Sequence, residues 1–298
     1  MADEGERSVG DDGPGHPIVV GYDGKDHSRD ALLWAAAEAA RRDAPLLVVH
    51  AANYPGMKPH PGPAVLEPEP GALAADQEIT VRGVSEALHA YPDLRIAGAT
   101  EVTSASEALI EASMGAELLV IGTRGHGRVV GALLGSVAYA APARAKCPVI
   151  VVKRWSATRR GEDRIVVGTD GSPQAVAAVS FAAERAATAA VALDVVTCTG
   201  GQAAADWDGH RLRNAAESVA RSTTAWVRDT WPEVAVTIRV EDGPAERVLV
   251  DASTDAGLVV VGTRGRGAFK GLLLGSVSQA VIYGARCPVA VVGEERVA

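Results

Sequence analysis

Residues 122–136 read GTRGHGRVVGALLGS, and residues 262–276 read GTRGRGAFKGLLLGS. The two stretches lie 140 residues apart, and the same offset relates Cys147-Pro148 to Cys287-Pro288. Upstream, IVVGYDG at 18–24 matches IVVGTDG at 165–171, at an offset of 147. Paired landmarks in the same order, at nearly the same spacing, mean that one structural unit occurs twice. A chain of 298 residues also holds two domains at about 150 residues each.

Outward from the glycine stretches, each unit alternates strand-like and helix-like segments. In the first, short β-branched or apolar runs predict strands at 17–22, 46–50, 94–102, 118–121 and 149–152. Apolar residues at helical spacing predict helices at 28–42, 72–90, 104–114 and 136–145. Ser28 is read as the N-cap of the first helix, and Ser104 with Glu107 as a capping box. The second unit predicts strands at 165–167, 193–197, 234–240, 258–261 and 289–292, and helices at 175–187, 211–229, 244–254 and 276–284. Strands apolar on both faces, alternating with helices, imply a parallel sheet covered on two sides. The fold class is therefore α/β: two tandem open parallel-sheet domains, Rossmann-like, with ligand expected at the carboxyl ends of the strands. The divisions read 1–15 as a disordered tail, 16–153 as the first domain, 154–162 as a linker and 163–298 as the second domain. Residues 53–71 hold six prolines and read as a long loop.

Composition narrows the function classes. With 29 basic against 37 acidic residues, the formal net charge is -8, which argues against wholesale nucleic-acid binding. No apolar run approaches the roughly 20 residues that span a bilayer, so no membrane partner is expected. The acidic first residues, MADEGERSVGDDGPGHP, lack the apolar core of a secretory signal. Three cysteines, Cys147, Cys198 and Cys287, form no CxxC pair. Neither a disulfide framework nor a zinc site follows, and a reducing cytoplasm is the expected setting.

The repeated spacing is Gly122-x2-Gly125-x9-Gly135-Ser136 and Gly262-x2-Gly265-x9-Gly275-Ser276, between the fourth strand and a helix. Glycines let backbone approach a ligand closely, successive N–H groups can form an anion-binding nest, and the following helix aims its positive end at the same place. A triphosphate suits such a loop. Neither stretch is a Walker A loop or the GxGxxG dinucleotide fingerprint. The acids that follow the first strand, Asp23 in GYDG and Asp170 in GTDG, read either as ribose or base acceptors or as turn-forming Asp before Gly.

Together these features resemble the universal stress protein family. The resemblance rests on VGxDG after the first strand, the G-x2-G-x9-G-S loop and the CPV lead into the last strand, and it spans almost the whole chain as a tandem member. It implies the ATP-binding branch, with ATP and Mg2+ as ligands, strand order 3-2-1-4-5, and strands one and four side by side. Base and ribose contacts are then implied at Gly21, Asp23 and Ala51, and at Gly168, Asp170 and Cys198. Contacts along the loop are implied at Gly122, Thr123, Arg124, Gly125, Gly127, Gly135, Ser136 and Val137. Their counterparts are Gly262, Thr263, Arg264, Gly265, Gly267, Gly275, Ser276 and Val277. Pro142 falls inside the helix after the first loop, where Ile282 stands in the second unit, so that helix is expected to be short or kinked.

No catalytic constellation stands out: there is no HExxH, no GxSxG and no lysine in the core of either loop. His126 of the first loop is Arg266 in the second, and His50 reads as a structural histidine. The reading is a nucleotide-dependent regulator in a stress response, not an enzyme. A slow ATPase or a phosphoryl- or adenylyl-transfer enzyme using the same sites is the alternative. The last strands, VIVV and VAVV, would be exposed edges if left alone. The resemblance implies that they pair within the chain, and a further homodimer is expected.

Overall fold

The computed structural model describes residues 15–53, 70–123, 136–153, 163–200, 207–267 and 273–294. The expected N-terminal tail as far as residue 14, the greater part of the proline-rich loop and the linker at 154–162 lie outside the described residues, as do Arg124, Gly125, His126, Gly127 and Gly135.

The first half runs β1 (Ile18–Gly21), α1 (Asp26–Arg42), β2 (Leu46–Ala51), α2 (Pro70–Ala90), β3 (Ile96–Glu101), α3 (Ala105–Ala112), β4 (Leu118–Gly122), α4 (Ser136–Arg144) and β5 (Val149–Val152). The second half follows with β6 (Arg164–Gly168), α5 (Pro173–Ala189), β7 (Ala192–Cys198), α6 (Trp207–Thr224), α7 (Val227–Thr230), β8 (Val236–Glu241), α8 (Ala245–Ala252), β9 (Leu258–Gly262), α9 (Ser276–Gly284) and β10 (Val289–Val292). One ten-stranded sheet carries both halves, in the order β3-β2-β1-β4-β5-β10-β9-β6-β7-β8. Each half thus has strand order 3-2-1-4-5. All pairings are parallel except β5 with β10, which is antiparallel and sets Ile150 opposite Ala290. The apolar edges VIVV and VAVV cover each other, leaving β3 and β8 as the outer strands.

Period-2 alternation sorts the strand side chains onto two faces. Ile18, Val20, Leu118, Val120, Ile150 and Val152 pack toward α1 and α5, in a core that also takes in Ile165, Val167, Val260 and Ala290. Val19, Leu119, Ile121, Val149 and Val151 pack toward α3, α4, α8 and α9. Both cores cross the β5–β10 seam, so the halves share their apolar interior.

Three local expectations need correction. α1 starts at Asp26 with Lys25 as its N-cap residue, not Ser28. The Ser28 hydroxyl instead donates to the Lys25 carbonyl at 2.9 Å and accepts from the Asp23 amide at 3.2 Å. Pro142 neither shortens α4 nor stops it: α4 and its counterpart α9 both have nine residues, and the Ala145 amide still reaches the Ala141 carbonyl at 2.8 Å. The helix expected at 211–229 is two helices. α6 ends where Thr223 and Thr224 turn their hydroxyls back onto the Val219 and Ala220 carbonyls, and α7 follows between Trp226 and Trp231, which pack edge to face. The capping box holds, with Ser104 Oγ accepting from the Glu107 amide at 3.3 Å and donating to its carboxylate at 2.7 Å.

Candidate functional site

Strands one and four of each half are neighbours, β1 with β4 and β6 with β9. Their carboxyl ends therefore open into one cleft per half, where the chain reverses from strand to helix.

The second cleft is the more fully described. Its cavity, of about 450 Å³, is walled by Gly168, Asp170 and Cys198 from the ends of β6 and β7, by Gly262, Arg264, Gly265 and Gly267 after β9, and by Gly275, Ser276 and Val277 at the start of α9. Asp170 joins the two walls. Its Oδ1 accepts from the Ser172 amide at 3.0 Å, a turn-forming bond, while Oδ2 accepts from the Arg266 amide across the cleft at 2.6 Å. The turn reading of this acid is realised on Oδ1, and Oδ2 bridges to the backbone of the loop after β9. Partial burial opposes ionisation, but hydrogen bonds from Ser172 and the Arg266 amide, with the Arg266 charge, hold the carboxyl below its ordinary value. A Cβ on Gly265 would overlap Asp170 Oδ2, so only glycine lets the loop come this close.

At the far wall, α9 begins without a side-chain cap on its first turn, which leaves its positive end toward the cleft. The Gly275 amide donates to the Thr263 carbonyl at 2.8 Å, and Ser278 Oγ donates to the Gly262 carbonyl at 2.6 Å. These bonds tie the two ends of the glycine loop together. Ser278 is Ala138 in the first half. Thr263 gives its own amide to the Val292 carbonyl at 2.9 Å and walls a different cavity, between the halves, of about 780 Å³. Arg264 borders both cavities. Burial, followed by the nearby Glu241 and Glu246 charges, pushes the Cys198 thiol up to about 11, so it is protonated and poorly nucleophilic at neutral pH.

The first cleft repeats the plan. Gly21, Asp23, Ala51, Gly122, Ser136 and Val137 border a cavity of about 140 Å³, and Thr123 donates its amide to the Val152 carbonyl at 3.1 Å. Asp23 Oδ1 accepts from the Lys25 amide at 3.1 Å, and Oδ2 lies 3.3 Å from Lys25 Nζ and 3.4 Å from His27 Nε2. Burial again opposes ionisation, and Ser28, the Lys25 amide and the His27 and Lys25 charges outweigh it. Gly122 and Gly262 are glycine because a Cβ would run into His27 and Gln174 at the starts of α1 and α5. The space beside Gly21 and Gly168 is taken by Leu109 and Leu249, whose Cδ1 atoms lie 2.8 Å from where a Cβ would sit.

His27, Ser28 and Ser278 line the clefts although no sequence motif marks them, and His50, read from sequence as structural, lines the first. His50 links three elements, its Nδ1 2.8 Å from the Tyr22 carbonyl and its Nε2 3.0 Å from Asp76 of α2. A histidine at a strand's carboxyl end beside the repeat's first acid was the available signal.

Two tandem Rossmann-like α/β units, each with a strand-end carboxylate facing the start of the helix after β4 or β9, define the class of protein. The profile of the Universal stress protein family matches residues 15–153 and 162–293, and this chain belongs to that family. A universal stress protein of Mycobacterium tuberculosis is 35% identical over 289 residues, covering 93% of this chain and 96% of the relative. One of Mycolicibacterium smegmatis is 33% identical over 291 residues, covering 92% and 96%. The crystal structure of a universal stress protein from Archaeoglobus fulgidus shares the fold, with a TM-score of 0.67 at 19% identity over 93% of this chain and 96% of that one. Among the described residues, no helix is long and apolar enough to cross a membrane.

Proposed function

We propose that each half binds an adenine nucleotide, ATP carried with Mg2+, and that the chain works as a nucleotide-dependent regulator. The observation that carries this reading is the second cleft. One cavity of about 450 Å³, within the range of small-molecule sites, brings together a carboxylate held ionised, a loop of glycine amides and an uncapped helix start. The carboxylate suits ribose or base donors. The helix start and the loop suit a polyphosphate. Among the described residues no group of three or more His, Cys, Asp or Glu could hold a metal ion.

Binding is favoured over turnover because the groups at this cleft hold rather than attack. Asp170 is engaged by two amides, and the Cys198 thiol is kept protonated. Equilibrium dialysis with labelled ATP, followed by single-turnover chemistry on the retained nucleotide, tests both parts. Retained ATP with turnover well below about 1 per second is expected. Faster turnover would make the chain an enzyme, and no retention would remove the nucleotide reading. The homodimer expected from the resemblance would need a surface other than β5 and β10, which already pair within the chain. Sedimentation of the purified chain measures it.

A further inference from the structure

The 140-residue repeat pairs Ala143 with Tyr283 and Gly293 with Lys153. Because β5 and β10 run antiparallel, with Val151 opposite Val289, these four positions form two corresponding places beside the seam. In one place the side chains meet: Lys153 lies over the Tyr283 ring, 5.6 Å from its centroid, and its Nζ donates to the Tyr283 carbonyl. In the other place both side chains are cut back to Ala143 and Gly293. There the chain leaves a cavity of about 780 Å³ between the halves, which both small residues border.

Three cations border this cavity, Arg144 and Lys146 around the end of α4 and Arg264 after β9, and all three residues are exposed. Glu294 is the single carboxylate on the wall, and it accepts from Gln174 Nε2 at 2.9 Å. Among the described residues the Arg144 and Arg264 side chains make no hydrogen bond and no ion pair. Glu107 feels the Arg144 charge, but its carboxylate is held by the Ser104 and Thr103 hydroxyls at 2.7 and 2.9 Å. The macrodipole favours a cation in a helix's last turn, which suits Arg144. It does not account for Arg264, which lies in no helix, or for Gly284 where the other half's α9 has the counterpart of Arg144. In a chain of net charge -8, a concave surface with cations in excess and Ile110, Pro142 and Val292 in its walls concentrates positive potential.

We propose that the cavity between the halves binds a small molecule bearing a multivalent oxyanion, held between Arg144 and Arg264 with Lys146 beside it. Guanidinium forks match phosphate and carboxylate oxygens, and an ammonium adds a point charge. Of the lining residues only Arg264 also borders the second cleft, and the proposal does not require that the clefts bind nucleotide.

Calorimetric titration of the full chain with tripolyphosphate, citrate and acetate tests it. Tripolyphosphate or citrate is expected to bind, and whichever is tighter assigns the oxyanion as phosphate or carboxylate. Arg144→Gln is expected to weaken that binding about tenfold. Ala143→Tyr, which puts back the ring found in the other half, is expected to abolish it. ATP retention in equilibrium dialysis is expected to be the same in both variants as in the wild type. If Ala143→Tyr does not fold, Arg144→Gln and Lys146→Gln carry the comparison, each weakening the anion. No binding by the wild type at about 10 mM, the weak limit of a specific site, would overturn the proposal. So would equal binding by wild type and variants, which places the ion elsewhere, or acetate binding as tightly as the multivalent ions.

Discussion

Gly265 stands where the loop after β9 meets Asp170, and a methyl group there would push the two apart. Gly265→Ala is expected to weaken ATP at the second cleft at least tenfold, about 1.4 kcal/mol, with little change in melting temperature because the loop is not part of either core. Parallel calorimetric and thermal titrations check it. Asp170 makes a second residue-level prediction. Its carboxyl is lower in the folded chain than its ordinary value, so its stabilising effect is complete above the ordinary carboxylate range and is lost as pH falls through the folded value. Asp170→Asn is expected to remove that part of the acid-side loss of stability, seen as a shallower fall in melting temperature between about pH 5 and 2. A wild-type slope in the variant would contradict it. The glycines and both acids were legible in the sequence because they recur at fixed offsets. The bond between Asp170 and Arg266 was not, since Arg266 stands where the first half has His126 and the contact is made by backbone.

Among the elements, α3 and α8 end on serines whose role is repeated in space. Ser113 Oγ donates to the Ile110 carbonyl and accepts from the Lys146 amide at 2.9 Å. Ser253 Oγ does the same with Val250 and Arg286, again at 2.9 Å to the amide. Both serines are buried, and each ties a helix end to the turn that leads into β5 or β10. Ser253→Ala would leave the Arg286 amide without its acceptor and is expected to cost about 1–3 kcal/mol, measurable by denaturant unfolding. This pair sits at the same 140-residue offset as the glycine loops, so a residue-by-residue comparison of the two units would have found it. Serine's frequency in loops hid it, because sequence does not display burial. The proline in α4 shows the opposite failure. The residue was visible, but not that α4 runs past it to the same length as its counterpart α9, with the Ala145 amide still bonded to the Ala141 carbonyl.

For the molecule as a whole, the β5–β10 seam joins two five-stranded sheets into one, and each core contains residues of both halves. One cooperative thermal transition is therefore expected by calorimetry, and two separated transitions would contradict a shared interior. Ala290, fully buried opposite Ile150, is the sensitive position. Ala290→Asp would bury an unpaired charge and is expected to lower the melting temperature by more than 10 °C, about 3 kcal/mol or more for a chain of this size. The parallel α/β class was legible in the alternation of apolar strands and helices, and the strand order only through the family resemblance. The burial of Arg185 against Glu38 was not legible, because it arises only when α5 of one half meets α1 of the other.

Native mass spectrometry of the intact chain with millimolar ATP puts the two clefts to the most direct test. Two bound ATP molecules per chain are predicted for the wild type, one for Asp23→Ala or Asp170→Ala alone, and none for the two together. A folded wild-type chain that carries no ATP, or a double variant that still carries two, would contradict the account.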